Sequence, residues 1–269
     1  ALWLGEEGML FHGICFRDRD LITAEQMKSQ FYSYDSSIRL VNRVAQLQEW
    51  LLRELTSLEH QEREALWVQD ELDYLDNEEY AEVYSQLLKK SQKEEDVFDF
   101  TMQQEELLRQ KIVKEHFRPL RREVKRFQFI DMIGLYDQLF GKEAAYQIMT
   151  NETEVPDQWS EICRQTKETL SRLELFYEDA TPFLYLKELM EGTRTNTEVR
   201  HLFVDEGQDY SPFQYVFLKQ LFPRARMTVL GDFSQAIFPQ ATDLHEADSS
   251  LIRLYGEAET SLIRLVRSY

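Results

Sequence analysis

Glycine is scarce in this chain, with nine in 269 residues, and the six prolines and two cysteines are fewer still. So few turn-formers exclude a linker-rich or collagen-like polypeptide. An apolar fraction of 43% beside 30% charged residues excludes intrinsic disorder. No stretch approaches the roughly 18 consecutive apolar residues of a membrane span. The opening Ala1-Leu2-Trp3-Leu4-Gly5-Glu6-Glu7 lacks the basic flank of a secretory signal. Cys15 and Cys163 stand far apart, with no CxxC or Cys/His cluster near either, and read as reduced core thiols of a cytoplasmic protein. Basic charge is also short. Against 49 Asp+Glu there are only 31 Lys+Arg, a net −18. That balance argues against a free-standing protein that grips nucleic acid, because phosphate binding needs dense cations.

The charge that is present is segregated. Between Glu59 and Glu115 lie 17 acidic and 7 basic side chains, which is more than half of the whole acidic excess. The sign then reverses through Arg109, Lys111, Lys114, Arg118, Arg121, Arg122, Lys125 and Arg126, opposed only by Glu115 and Glu123. One reading is a solvated helical surface whose basic face pairs with the acidic one. The other is a bipolar arm docking on a large partner, with Arg118, Arg121, Arg122 and Lys125 as its contact residues.

The first ~195 residues read as mostly helical and the last ~75 as α/β. A strand pair is expected over Met9–Phe16 and Leu21-Ile22, around the turn Arg17-Asp18-Arg19-Asp20. Thr23-Ala24-Glu25-Gln26 has the form of a capping box. Leu40, Val44, Leu47, Leu51, Leu55 and Leu58 recur every three or four residues, which predicts one helix from Ser36-Ser37 to beyond Trp67. About 30 residues at about 1.5 Å each make a rod of roughly 45 Å. Further helices are predicted over 78–92, 101–117, 120–140 and 159–177. Pro119 divides two of them, Gly141 closes one and 151–156 forms a loop.

Beyond the polar stretch Gly192–Glu198, His201-Leu202-Phe203-Val204 and Met227-Thr228-Val229-Leu230 read as strands that end in acid. Between them Ser211-Pro212 opens a helix that is apolar nearly all round: Phe213, Tyr215, Val216, Phe217, Leu218 and Leu221. Strand, buried helix and strand make a βαβ unit, and parallel sheets bind ligands at the carboxyl ends of their strands. Both acidic motifs lie there. The first is Asp205-Glu206-Gly207-Gln208-Asp209, in which a carboxylate can hold Mg²⁺ and its neighbour can polarise the water that attacks a γ-phosphate. The second, Gly231-Asp232-Phe233-Ser234-Gln235, brings a Gln within reach of the same phosphate. Each motif is weak alone, and the ordered pair, about 25 residues apart across a helix, is strong.

The DExQD box followed by GDxxQ resembles motifs II and III of the superfamily-one helicases of the UvrD/Rep type, ATP-driven motors with two RecA-like lobes. The helical remainder, with Phe31-Tyr32, Leu51-Leu52-Arg53-Glu54-Leu55 and Pro182-Phe183-Leu184-Tyr185-Leu186-Lys187, resembles the HelD branch of RNA-polymerase-associated ATPases. The resemblance implies an α/β chain: part of a RecA-like (P-loop NTPase) parallel sheet carrying a large, elongated, mainly α-helical insertion. Residues 1–175 would be the insertion with its strand pair, 176–258 the second half of lobe one, and 259–269 the start of motif IV. It implies ATP and Mg²⁺ as cofactors, with Asp205 organising the metal, Glu206 as catalytic base and Gln235 as γ-phosphate sensor. Gln208, Asp209 and Asp232 would couple nucleotide state to lobe movement, and Tyr269 would stack on adenine. Gly207 stands where Ala or Phe is more usual, at a position that is not a ligand.

Two departures qualify the resemblance. No glycine belongs to a GxxxxGK[ST] loop, since Gly141-Lys142-Glu143 lacks both the earlier Gly and the hydroxyl. The chain is therefore expected to be a middle fragment that neither binds ATP tightly nor hydrolyses it alone, completed by the rest of its own polypeptide. After Gln235 the run Ala236-Ile237-Phe238-Pro239-Gln240-Ala241 keeps only Phe238 of the family's aromatic-x-Trp-Arg contact to single-stranded bases. Weak nucleic-acid binding and poor unwinding are expected. Three functions stand open: a bacterial, cytoplasmic ATPase that binds RNA polymerase core and remodels it by arm movement, a conventional UvrD-type DNA helicase, and a non-enzymatic acidic adaptor.

Overall fold

The computed structural model describes residues 8–75, 97–141, 155–193 and 195–232, with Leu4, Tyr255, Gly256, Ser261 and Ile263; over 97–101 it describes the helical backbone alone. The helix expected over 78–92, and most of the loop expected over 151–156, lie outside these residues. Two compact units divide the chain, Ala1–Gln138 and Leu139–Tyr269.

In the first unit β1 (Ile14–Phe16) and β2 (Arg19–Ile22) pair antiparallel. Their turn needs two left-handed residues, supplied by Arg17 (φ 47°) and Asp18 (φ 60°). Helix α1 (Ala24–Ser33) starts at the expected capping box, with Thr23 accepting from Gln26 N–H and Gln26 accepting from Thr23 N–H.

Helix α2 (Leu40–Glu62) is shorter than the rod expected from its periodicity. The chain breaks at Arg63–Ala65 and resumes as α3 (Leu66–Tyr74), whose Val68 and Leu72 are buried. Glu62 anchors the break, accepting from Trp67 Nε1 at 2.8 Å and from Arg19 of the hairpin. Helix α4 (Val97–Lys125) then returns along α2. Gln48 reaches Val124 O near one end and Arg63 reaches Glu106 near the other, so the two run antiparallel. Val44, Leu47, Leu51 and Leu55 of α2, with Leu108, Ile112, Val113, Phe117, Leu120 and Val124 of α4, are buried along the seam. Each such side chain contributes about 1.5–3 kcal/mol on burial.

Pro119 does not divide two helices, as the sequence suggested, because α4 runs through it. It lies on the exposed face, as does Glu115, whose carbonyl loses its N–H partner there and can turn to water, while Phe117 and Leu120 hold the helix to α2 from the buried side. The single helix expected over 120–140 is likewise replaced. Phe127 is left-handed (φ 58°), Phe11 forms an antiparallel bridge with Ile130, and Asp131 caps a short α5 (Met132–Asp137) by accepting from Gly134 N–H. Cys15 is exposed rather than a core thiol, because it sits in the outward register of β1, where its Sγ donates to Asp20. That bond raises the thiol's pKa.

In the second unit the helix expected over 159–177 is present but ends early, as α6 (Trp159–Ser171), where Leu173 turns left-handed (φ 60°), and a further helix, α7 (Tyr177–Glu191), follows it. β3 (His201–Val204) and β4 (Arg226–Val229) pair in parallel, from His201↔Arg226 to Val204↔Val229. Between them runs α8 (Pro212–Leu221), started by the Ser211/Gln214 capping box and by proline at its first position. The βαβ unit is as the sequence suggested, but α8 is not buried all round: Tyr215 is fully buried, whereas Phe213 and Val216 stay more than one-third exposed. Tyr185 of α7 packs edge-on against Phe213 and Phe217. No described helix is long and apolar enough to cross a membrane.

Candidate functional site

β3 delivers Asp205 and Glu206 at its carboxyl end, and β4 delivers Leu230, Gly231 and Asp232 beside them. The ladder continues past the strands. Leu230 N–H donates to Val204 O at 2.8 Å, and Gly207 N–H donates to Leu230 O at 2.7 Å. The two acidic motifs are therefore stitched together through their backbones.

Glu206 adopts a left-handed conformation (φ 50°, ψ 40°), a costly choice for a residue with a side chain. Its N–H donates to Asp205 Oδ1 at 3.0 Å, and its carbonyl accepts from Asp209 N–H as a 3₁₀ turn (Gly207–Asp209) begins. This reversal leaves Asp205 and Glu206 exposed and turns Gly207 and Gln208 inward. Gln208 is 1% exposed. Its Nε2 donates to Glu206 Oε2 at 2.7 Å, and its Oε1 accepts from Asp232 N–H at 3.0 Å.

Beneath the turn, Gly207 leaves no space for a side chain. A Cβ there would stand 2.2 Å from Val229 Cγ1 and 2.8 Å from the Tyr215 hydroxyl. Tyr215 donates to Gly207 O at 2.7 Å, and burial raises its phenol pKa, with smaller contributions from Tyr210 and Tyr255. Gly231 is equally constrained, since a Cβ would meet Gln208 Oε1 at 2.5 Å. Only the apolar pattern of α8 and the glycine at 207 hinted at these contacts in the sequence.

Asp205 and Glu206 suit a hard divalent cation. Each is an exposed carboxylate with one oxygen held by an amide donor. No group of three or more His, Cys, Asp or Glu that could hold a metal occurs among the described residues. Such a donor set fits Mg²⁺, which keeps several waters and takes its remaining oxygens from nucleotide phosphates. With the cation bound to the nucleotide, it would offset charge on the phosphates, while Glu206 would orient and deprotonate the attacking water.

Of the other residues singled out in the sequence, Asp209 and Asp232 lie in this motif pair, and Gln235, Phe238 and Tyr269 lie outside the described residues. The basic stretch divides. Arg121 turns inward, donating to Glu59 Oε1 at 2.6 Å and to Thr56 Oγ1 at 2.8 Å. Arg118, Arg122 and Lys125 are exposed and make no ion pair among the described residues.

No curated protein matches the chain. The model of the UvrD/REP helicase N-terminal domain family matches residues 9–240, which take in the helical hairpin and both acidic motifs. By that match, over most of its length, the chain belongs to the UvrD/REP helicase N-terminal domain family, within the UvrD-like superfamily-one helicases.

Proposed function

We propose that the chain is the carboxylate-bearing part of an ATP-hydrolysing motor of the HelD branch, which binds RNA polymerase and remodels or recycles it through nucleotide-driven arm movement. Glu206 is the general base, Asp205 organises Mg²⁺, and the phosphate-binding loop comes from polypeptide outside these 269 residues. The observation that carries the chemistry is the junction of the two acidic motifs. Asp205 and Glu206 stand exposed at the end of a parallel strand, with the motif III backbone bonded beside them.

The arm reading is supported by the α2/α4 hairpin, about 35 Å long from its 23-residue α2, with buried apolar side chains on both helices and a charged exterior. Arg118, Arg122 and Lys125 recur at helical spacing on its solvent face, free to meet an acidic surface.

The deciding experiment uses the intact protein. ATP hydrolysis that falls about 10²-fold or more in Glu206→Gln, with ATP binding kept, is the expected chemistry. Capture of RNA polymerase core without DNA, together with no processive strand displacement, is the expected partner result. Processive ATP-dependent unwinding would instead make the protein a conventional UvrD-type helicase.

A further inference from the structure

The side-chain amide of Gln208 joins the two acidic motifs. Its orientation is chemically determined. The carboxylate of Glu206 only accepts and the Asp232 N–H only donates, so the amide nitrogen must face the first and its oxygen the second. Gln208 itself is 1% exposed, so its amide is held by these two partners on the buried side of the turn. Gly231 lets the amide approach this closely, because a Cβ there would collide with Oε1 at 2.5 Å.

We propose that Gln208 is a positioning residue for Glu206, tying the direction of that carboxylate to the backbone at Asp232. The inference rests on the reading of Glu206 as the base. Glu206 already stands on a left-handed residue, so its side chain has no regular helix or strand to orient it, and the Gln208 donor fixes one of its two oxygens. The other oxygen is left for the attacking water. Asp232 opens the segment that carries Gln235, three residues further along the sequence. A shift of the backbone at Asp232 draws on Gln208 Oε1, and through the rigid amide plane it moves the Glu206 carboxylate. A displacement of about 1 Å in a reacting group can cost about 10²-fold in rate, so this bridge lets the base work only when the second motif is in place.

Two substitutions separate the two bonds. Gln208→Glu keeps an acceptor for Asp232 N–H but sets a second carboxylate against Glu206. Gln208→Met removes both bonds at similar volume. In this 269-residue chain, Asp232 amide exchange followed by NMR should be faster in Gln208→Met and close to wild type in Gln208→Glu. In the intact protein both variants should lose about 10- to 100-fold in kcat, with KM for ATP changed by less than about threefold. Gln208→Glu combined with Glu206→Gln exchanges donor and acceptor. That pair should keep the amide protection of Gln208→Glu without restoring turnover.

A wild-type kcat in Gln208→Glu, in a protein that Glu206→Gln inactivates, would overturn the proposal. So would unchanged Asp232 exchange in Gln208→Met. If Glu206→Gln leaves turnover intact, the reading of Glu206 as base fails first, and the catalytic role of Gln208 fails with it.

Discussion

The hydroxyl of Tyr215 donates to the carbonyl of Gly207 at 2.7 Å, so a helix residue holds up the turn that presents Glu206. That contact and Val229 fill the space in which a Cβ at Gly207 would stand. Gly207→Ala should therefore destabilise the second unit by about 1–3 kcal/mol. Tyr215→Phe should cost about 1–2 kcal/mol by leaving a buried carbonyl unpaired. Adding Val229→Ala to Gly207→Ala should recover part of the loss, as read from urea midpoints; a strictly additive double variant would show that Val229 is not the obstacle.

Alkaline stability should report the same tyrosine. Burial raises the Tyr215 phenol above its ordinary value of 10.0. A group whose folded pKa is raised stabilises the fold fully below its unfolded pKa, and that stability is lost as pH rises through the folded value. Urea midpoints should thus fall from about pH 10 upward, and less steeply in Tyr215→Phe. Equal slopes in both proteins would assign the alkaline loss to other groups.

The basic stretch should split by function. Arg121→Glu faces Glu59 with a like charge and should destabilise the first unit by about 1 kcal/mol or more. Reversing Arg118, Arg122 and Lys125 together should leave the melting temperature within a few degrees of wild type. In the intact protein it should weaken polymerase capture, with the loss greatest at low salt. Capture unchanged by the triple reversal would remove this face from the partner site.

Pro119 invites a stabilising change. It occupies an exposed position inside α4, where proline costs about 3 kcal/mol relative to alanine in an unsupported helix. Pro119→Ala should raise stability by about 1–3 kcal/mol, measured by chemical unfolding. A destabilised variant would mean that the proline shapes the packing of α4 on α2.

Periodicity and motif spacing made the α2 seam, the Thr23 capping box, the Ser211-Pro212 helix start and the βαβ unit legible, because each depends on neighbours within a few residues. The helix limits were less legible for a physical reason. The break after Glu62 is held by Arg19 and Trp67, and the passage of α4 through Pro119 is held by burial on α2, so in each case distant packing overrides local preference. At the site, the residue types of the acidic pair were readable from order and spacing. What was not readable was the left-handed turn at Glu206, which drives Gln208 inward, or the collision that requires glycine at 207. Those features arise only when β4 is laid beside β3.

The bridge between Phe11 and Ile130 has a topological consequence. His12 N–H donates to Phe129 O, and Asp131 N–H donates to Leu10 O, so the chain leaves and regains one place while everything from Gly13 to Gln128 is an excursion. A two-residue turn could close the same short ladder. An excursion with coincident ends can lengthen, shrink or be exchanged without moving whatever it is rooted in, and a pull along the hairpin loads both roots at once.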